Sequence, residues 1–409
     1  MERDVFIGFD PGSVPSPCYV IDEAGIDRNL SYLREVQQES GARVLMALKA
    51  FAMPALFPRI RAVLDGVCAS GPWEARLGRE CFGGEVHTFA PAFSDEEFGE
   101  VLALSDHVVF NSFNQWKRFR SRALAAQRGQ RGGTAGGGSG KASGTDARTP
   151  QFGIRVNPEH SEAEVPLYDP AAPYSRLGVT AANFELAAAA GELEGITGLH
   201  LHTLCEQGFE ALERTVAVLL EKFGRYLPQM QWLNLGGGHH ISKPDYNRAG
   251  LIKLIRRLRA DYDIDIILEP GEAVVIHSGV LVATVLDVIH NGMPIAILDT
   301  SATAHMPDVL EMPYRVEIWG AAAPGEKAHT YRLGGQTCLA GDVIGEYSFD
   351  EPLQPGRRIV FDDMAHYTFI KSTMFNGVRH PALALYNSNS GATRIVREFS
   401  YTDFLGRLT

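Results

Sequence analysis

Lys49 sits where an ordinary solvated lysine fits poorly. It lies in the run Leu45-Met-Ala-Leu48-Lys49-Ala-Phe51, apolar on both sides. Desolvation disfavours the charged form of an amine, and a neutral amine is a nucleophile able to form a Schiff base with a carbonyl. Taken alone, a lysine reaching from a strand end to water is the simpler reading. Gly236-Gly237-Gly238 allows backbone approaches that a Cβ would block, and its amides can converge on an anion such as a phosphate; three glycines also make a plain strand-to-helix turn. Glu269, in Glu269-Pro270-Gly271, closes an apolar run where an unpaired carboxylate is costly, so it calls for a cationic partner or a route to water. His200 and His202, two apart, share a strand face either as a metal pair or as two satisfied core histidines.

A lysine for a Schiff base, a glycine run for a phosphate and a carboxylate for a protonated ring nitrogen are the three handles that pyridoxal phosphate requires. The conjunction is more specific than any member. No metal-ligand set is assigned.

Short apolar runs alternate with segments of helical length from Ala42 to Pro270. They are Arg43–Leu48, Gly66–Ala69, Val86–Phe89, His107–Phe110, Phe152–Val156, Gly198–His202, Trp232–Leu235 and Asp265–Leu268. Eight such units in about 250 residues predict a (β/α)8 TIM-like barrel, with a doubly wound open sheet as runner-up. In a barrel, Lys49, His202, the glycine run and Glu269 all fall at the C-terminal ends of strands, where active sites gather. After Gly271 the runs become closely spaced and turn-rich (Gly279–Ile289, Ile295–Leu298, Tyr314–Trp319, Arg358–Phe361, Ala382–Leu385, Arg394–Phe399), which predicts a second, mostly β domain. Val5–Ile7 and Cys18–Ile21 could pair into it. The expected division is a barrel over 22–272 and a β domain of 1–21 with 273–409. The run 121–150, with glycine at half the positions of 129–144, reads as a flexible surface insertion.

With 45% apolar and 21% charged residues, the 409-residue chain is not a disordered one. Its 38 basic and 49 acidic residues give a net charge of −11 without a basic stripe, which argues against nucleic acid and is compatible with a cationic small substrate. No membrane span or secretory signal is legible, so a cytoplasmic protein is expected. Five cysteines without a Cys-x-x-Cys pair suggest neither a disulfide framework nor a zinc ribbon.

Longer segments carry a family resemblance: Ala47-Leu-Lys49-Ala, Gly198 to Glu206, Leu233 to His240, Glu269 to Glu272, Asp299 to Asp308, Gly335 to Cys338 with Gly341-Asp342, and Tyr367 followed by Phe375-Asn-Gly377. In these the chain resembles the fold-type III pyridoxal-phosphate decarboxylases, which include ornithine, arginine and diaminopimelate decarboxylases and share their barrel with alanine racemase. It looks closest to the branch acting on carboxynorspermidine and carboxyspermidine. The resemblance implies that Lys49 holds the cofactor, His202 stacks on its ring, Gly236, Gly237, Gly238 and Tyr367 hold its phosphate, and Glu269 pairs with the ring nitrogen. It further implies that Cys338 is catalytic and reaches into the partner's site of a head-to-tail homodimer. On residue type alone, Cys338 and Tyr367 are packing residues.

Departures from the wider family bear on the substrate. Glu272 stands where Arg is frequent, Leu339 where a carboxylate commonly follows the cysteine, and His202-Thr-Leu-Cys-Glu206 replaces His-x-Gly-Ser. Both ornithine-like and diaminopimelate-like recognition are thereby disfavoured. Glu272 and Asp308 would suit the amines of a triamine, unless they are simply solvated carboxylates. The resulting expectation is decarboxylation of a carboxylated triamine. Its rivals are another decarboxylase of this fold, a metal-dependent barrel hydrolase using His200 and His202, and a barrel that binds the cofactor without turnover.

Overall fold

The structure, a computed structural model, describes residues 5–132, 149–163 and 165–409. The chain divides into two compact units: Leu30–Val274, and the residues up to Asn29 together with Val275–Thr409.

Strand β1 (Cys18–Asp22) precedes the barrel strands β2 (Arg43–Ala47), β3 (Gly66–Ala69), β4 (Glu85–Phe89), β5 (His107–Phe110), β6 (Gln151–Arg155), β7 (Gly198–His200), β8 (Trp232–Asn234) and β9 (Asp265–Leu268). Strands β2 to β9 are parallel throughout and close on themselves where β2 pairs with β9. The eight predicted runs are these eight strands, and the open-sheet alternative does not hold. Parallel strands covered on both faces read as near-continuous apolar runs, which is why they are legible. The helices between them present one apolar face; in Phe209–Phe223 that face is Leu212, Val216, Leu219 and Phe223. Asp95–Leu104 starts with a capping box, in which the Glu97 N–H donates to Ser94 Oγ and the Ser94 N–H to Glu97 Oε2.

One correction concerns the insertion. Helix Phe113–Gly132 continues through residues predicted as loop, because Phe119 and Ala123 are buried on one face while Arg and Gln on the other are good helix formers. Residues 133–148 of the predicted insertion lie outside the described residues.

The other unit is built on β10 (Gly279–Asn291), β11 (Met293–Leu298), β12 (His329–Gly334), β13 (Val343–Phe349), β14 (Arg358–Phe361), β15 (Ala382–Asn387) and β16 (Ala392–Arg397). The order is β13-β12-β11-β10-β1-β15-β16, with β14 also pairing β10. Alternate residues feed two cores. Tyr19, Leu281 and Ala283 join one with Tyr347 and Phe361, while Cys18, Val20, Val280 and Val282 join another with Phe6 and Phe9. Cys18–Ile21 therefore pairs into this sheet as expected, but Val5–Ile7 does not: Phe6 turns at positive φ to stack on Tyr386 and meet Trp319 edge-on. Tyr314–Trp319 contributes a single bridge, Ile318 to Phe361, rather than a strand. Strands β12 and β13 escaped the reading because Arg332 and Glu346 pair across their exposed side, interrupting the apolar pattern.

Inside the barrel, Leu45, Val109, Trp232 and Ile267 form an apolar layer backed by Phe89. Trp232 fills the space left by two glycines, where a Cβ on Gly153 or Gly198 would meet the indole at 2.2 or 2.0 Å. Gly198→Ala is therefore expected to cost about 1–3 kcal/mol by overpacking. Thermal unfolding of that variant checks this, and an unchanged midpoint would show that the indole has room to move.

Candidate active site

The closed barrel brings the first strand's lysine to the histidine after β7. Lys49 is half-buried between fully buried Leu48 and Ala50, with Nζ 3.2 Å from His202 Nε2. The Gly237 N–H donates to His202 Nδ1 at 3.0 Å, so neutral His202 carries its proton on Nε2. A hydrogen bond across the 3.2 Å can then form only when the amine offers its lone pair, the form that attacks a carbonyl. Burial first, then the charges of Lys49 and Arg155, hold His202 well below the usual imidazole range. Arg155 Nη2 donates to the His202 carbonyl at 2.6 Å, and its guanidinium lies 4.7 Å over the Phe89 ring.

Glu269 follows β9 and is clamped from two neighbouring strands. His200 Nε2 lies 3.1 Å from Oε2, and Asn234 Nδ2 donates to Oε1 at 2.7 Å. Burial raises this carboxyl, but the His200 imidazole and the hydrogen bond from Asn234 outweigh it and hold the group at about 2. Burial keeps His200 below its ordinary value despite Glu269. Its Nδ1 is buried without a partner, so a proton there would leave a charged N–H unpaired, and the pair is a carboxylate facing a neutral imidazole. Both Lys49 and Glu269 act electrostatically on His200 and on Cys68, which places amine and acid at the same end of the barrel.

The glycine run is a close-packed turn. A Cβ on Gly237 would lie 2.1 Å from the Glu269 carbonyl oxygen, and one on Gly238 1.9 Å from that of Leu204; Gly236 and Gly238 also have positive φ. The amides of Gly236 and Gly237 are taken by Asn234 Oδ1 and His202 Nδ1. Two of the three predicted anion donors therefore hold the site's own side chains in place.

Glu272 Oε1 is 3.1 Å from His240 Nε2. The remaining predicted residues belong to the other unit. Asp308 accepts from Lys371 Nζ at 2.6 Å. Cys338 is exposed, and its N–H donates to Asn376 Oδ1 at 2.8 Å, joining two of the quoted motifs. Tyr367 has φ 43° at the start of the short helix Thr368–Lys371, a conformation costly for a bulky residue. Sequence reasoning missed Arg155 and gave no role to Asn234 and Asp342, although both lie in the quoted segments. Asp342 accepts from Ser301 and Thr337 and ties together two motif segments. Asn234 had a usable signal, a polar residue at an inward position of an apolar strand.

These residues fit pyridoxal phosphate, with an amine, an ionised buried acid, a flat imidazole and a turn too tight for side chains all at one barrel end. The family described as pyridoxal-dependent decarboxylase, C-terminal sheet domain, matches residues 18–365. The chain belongs to the pyridoxal-dependent decarboxylases. Among relatives of this family, the carboxyaminopropylagmatine decarboxylase of Synechocystis sp. is 43% identical over 97% of this chain and 96% of its own. The carboxynorspermidine/carboxyspermidine decarboxylase of Campylobacter jejuni is 41% identical over 96% and 98%. The crystal structure of Campylobacter jejuni carboxynorspermidine decarboxylase complexed with norspermidine superposes with a TM-score of 0.83 at 40% identity, covering 96% of this chain and all of that one. The chain is thus a pyridoxal-phosphate-dependent carboxy-lyase, not a metal-dependent hydrolase. No helix among the described residues is long and apolar enough to cross a membrane.

The buried histidine after the glycine run gives a pH test. His239 donates to or accepts from Tyr246 Oη at 2.6 Å through Nδ1, and burial, then the nearby His240 charge, brings it down to about 3. Its unfolded value is about 6.5, so the unfolded chain binds the extra proton and stability is lost as pH falls below that point. At pH 5 the loss is about 2 kcal/mol from this group. Unfolding followed at pH 7 and pH 5 should show a smaller drop in His239→Gln than in the parent protein.

Proposed function

We propose that this protein removes the α-carboxylate of a carboxylated triamine, giving norspermidine from carboxynorspermidine or spermidine from carboxyspermidine. The reading is carried by the near full-length likeness to the Campylobacter jejuni enzyme, whose crystal structure holds norspermidine. Residues 22–272 serve as the cofactor-binding domain, and 1–21 with 273–409 as the domain completing a homodimeric active site in the cytoplasm.

Pyridoxal phosphate, when bound, supplies a protonated ring that accepts the electron pair left as carbon dioxide departs. Lys49 would hold it through Nζ. Glu269, ionised and fixed by His200 and Asn234, would pair with the ring nitrogen and favour its protonated form. His202, held by the Gly237 amide, would stack on the ring. Gly236, Gly237 and Gly238 would let the backbone approach the phosphate, and Tyr367 would add a hydroxyl. Cys338 or Lys49 returns a proton to the α-carbon, with Cys338 acting in the site of the second copy. Glu272 and Asp308 take the substrate's ammonium groups. Glu272 is the better placed, since its partner is an imidazole, whereas Asp308 already faces the ammonium of Lys371.

A second reading, carboxyaminopropylagmatine as substrate, is favoured by the Synechocystis sp. relative. A carboxylate such as Glu272 suits a guanidinium as well as an ammonium.

Carbon dioxide release from carboxynorspermidine, carboxyspermidine, carboxyaminopropylagmatine, diaminopimelate and ornithine decides among these. The carboxylated triamines should be turned over fastest, and a preference for either small amino acid sinks the reading. Lys49→Ala should abolish both the visible absorption and turnover. Glu269→Gln should keep the colour and lower kcat by about 100-fold or more. Glu272→Gln should raise KM for triamines by about 10-fold, the worth of one hydrogen bond to a charged group.

A further inference from the structure

The barrel interior holds a second polar cluster that decarboxylation does not use. Alternate strand residues share a face, so Glu85 and His87 point inward with Phe89 on β4, as does His107 with Val109 on β5. One ligating atom from each of Glu85, His87 and His107 lies within 4.8 Å of the others. The two imidazole rings are 3.9 Å apart, and His87 Nε2 lies 2.9 Å from Glu85 Oε2. His87 and His107 are 2% and 3% exposed, and neither ring nitrogen of His107 makes a well-formed hydrogen bond, the Gln151 side chain being a weak partner. Two imidazoles and a carboxylate at this spacing are a donor set for a borderline divalent cation.

We propose that Glu85, His87 and His107 bind one divalent transition-metal ion of the zinc class at the N-terminal end of the barrel. The Glu85 side chain is 33% exposed, so the cluster opens to solvent at this end. Arg43 is the competing cation, donating to both Glu85 oxygens at 3.0 and 3.2 Å. It also reaches Asp265 at 3.5 Å, and so keeps an acid when Glu85 turns to the metal. Gln151, in register with His107 and with its carbonyl oxygen buried unpartnered, is the natural fourth donor. The weak bond of the same side chain to His107 is the competing, metal-free arrangement. The apolar layer of Leu45, Val109, Trp232 and Ile267 lies between this cluster and the Lys49 end, so the ion would stabilise the fold and leave turnover alone.

The test uses the holoenzyme, stripped with chelator, desalted and dialysed against micromolar zinc chloride. One zinc per chain is expected beyond that retained by Glu85→Gln, a substitution at a partly exposed position, and by His107→Phe. Zinc should raise the thermal midpoint of the parent protein and of neither variant. Cobalt in its place should give visible d–d bands without thiolate charge transfer, which distinguishes this cluster from the cysteines. Absence of retained zinc, or equal zinc in parent and both variants, overturns the proposal.

Discussion

A carboxylate buried at the end of β9 is the constraint on which the catalytic end depends. Left alone, Glu269 would protonate or drag water into the barrel. It stays ionised because His200 and Asn234, from β7 and β8, each hold one oxygen. Those strands keep their places only in a closed parallel barrel, and the same backbone fixes the next residues inward: Asn234 also holds the Gly236 amide, and Gly237 holds His202. One chain of hydrogen bonds therefore runs from the acid through the glycine turn to the imidazole beside Lys49. Removing any link leaves a buried polar group unpaired, so acid and amine are positioned together.

The tightness of the glycine turn has the same origin. Two carbonyl oxygens, of Glu269 and Leu204, approach so closely that no side chain fits between. The run suits either an anion cradle or a plain strand-to-helix turn, and two of its amides serve the protein's own side chains. Close approach and hydrogen bonding to an internal imidazole compete for the same N–H groups, and in the folded chain the internal partners hold them. Below this end, Trp232 against Gly153 and Gly198 fills the barrel with an apolar layer, and polar groups resume only at the strand starts.

How much was legible varies by element, for identifiable reasons. Barrel strands buried on both faces announce themselves as apolar runs. Strands β12 and β13 carry a charged pair on one side and pass for loop. Val5–Ile7 looks like a strand by composition, but Phe6 gains more from an aromatic pocket than from pairing. The stretch after Ser121 looks like loop from its charge, yet it continues a helix already anchored by buried Trp116, Phe119 and Ala123, about one buried residue per turn. Local pattern reports propensity, and packing partners distant in sequence overrule it.

The sequence by itself determined the fold class, the alternation of eight strands with helices, and the identities of Lys49, His202 and Glu269 as strand-end residues, because periodicity and residue type are local properties. Only the tertiary structure decided that His200 and Asn234 clamp Glu269, that His202 bears its proton on Nε2, and that Glu85, His87 and His107 meet at the opposite end. Those facts depend on which strands become neighbours when the barrel closes, and hydrogen-bond partners separated by 35 or 69 residues leave no mark in any short window of sequence.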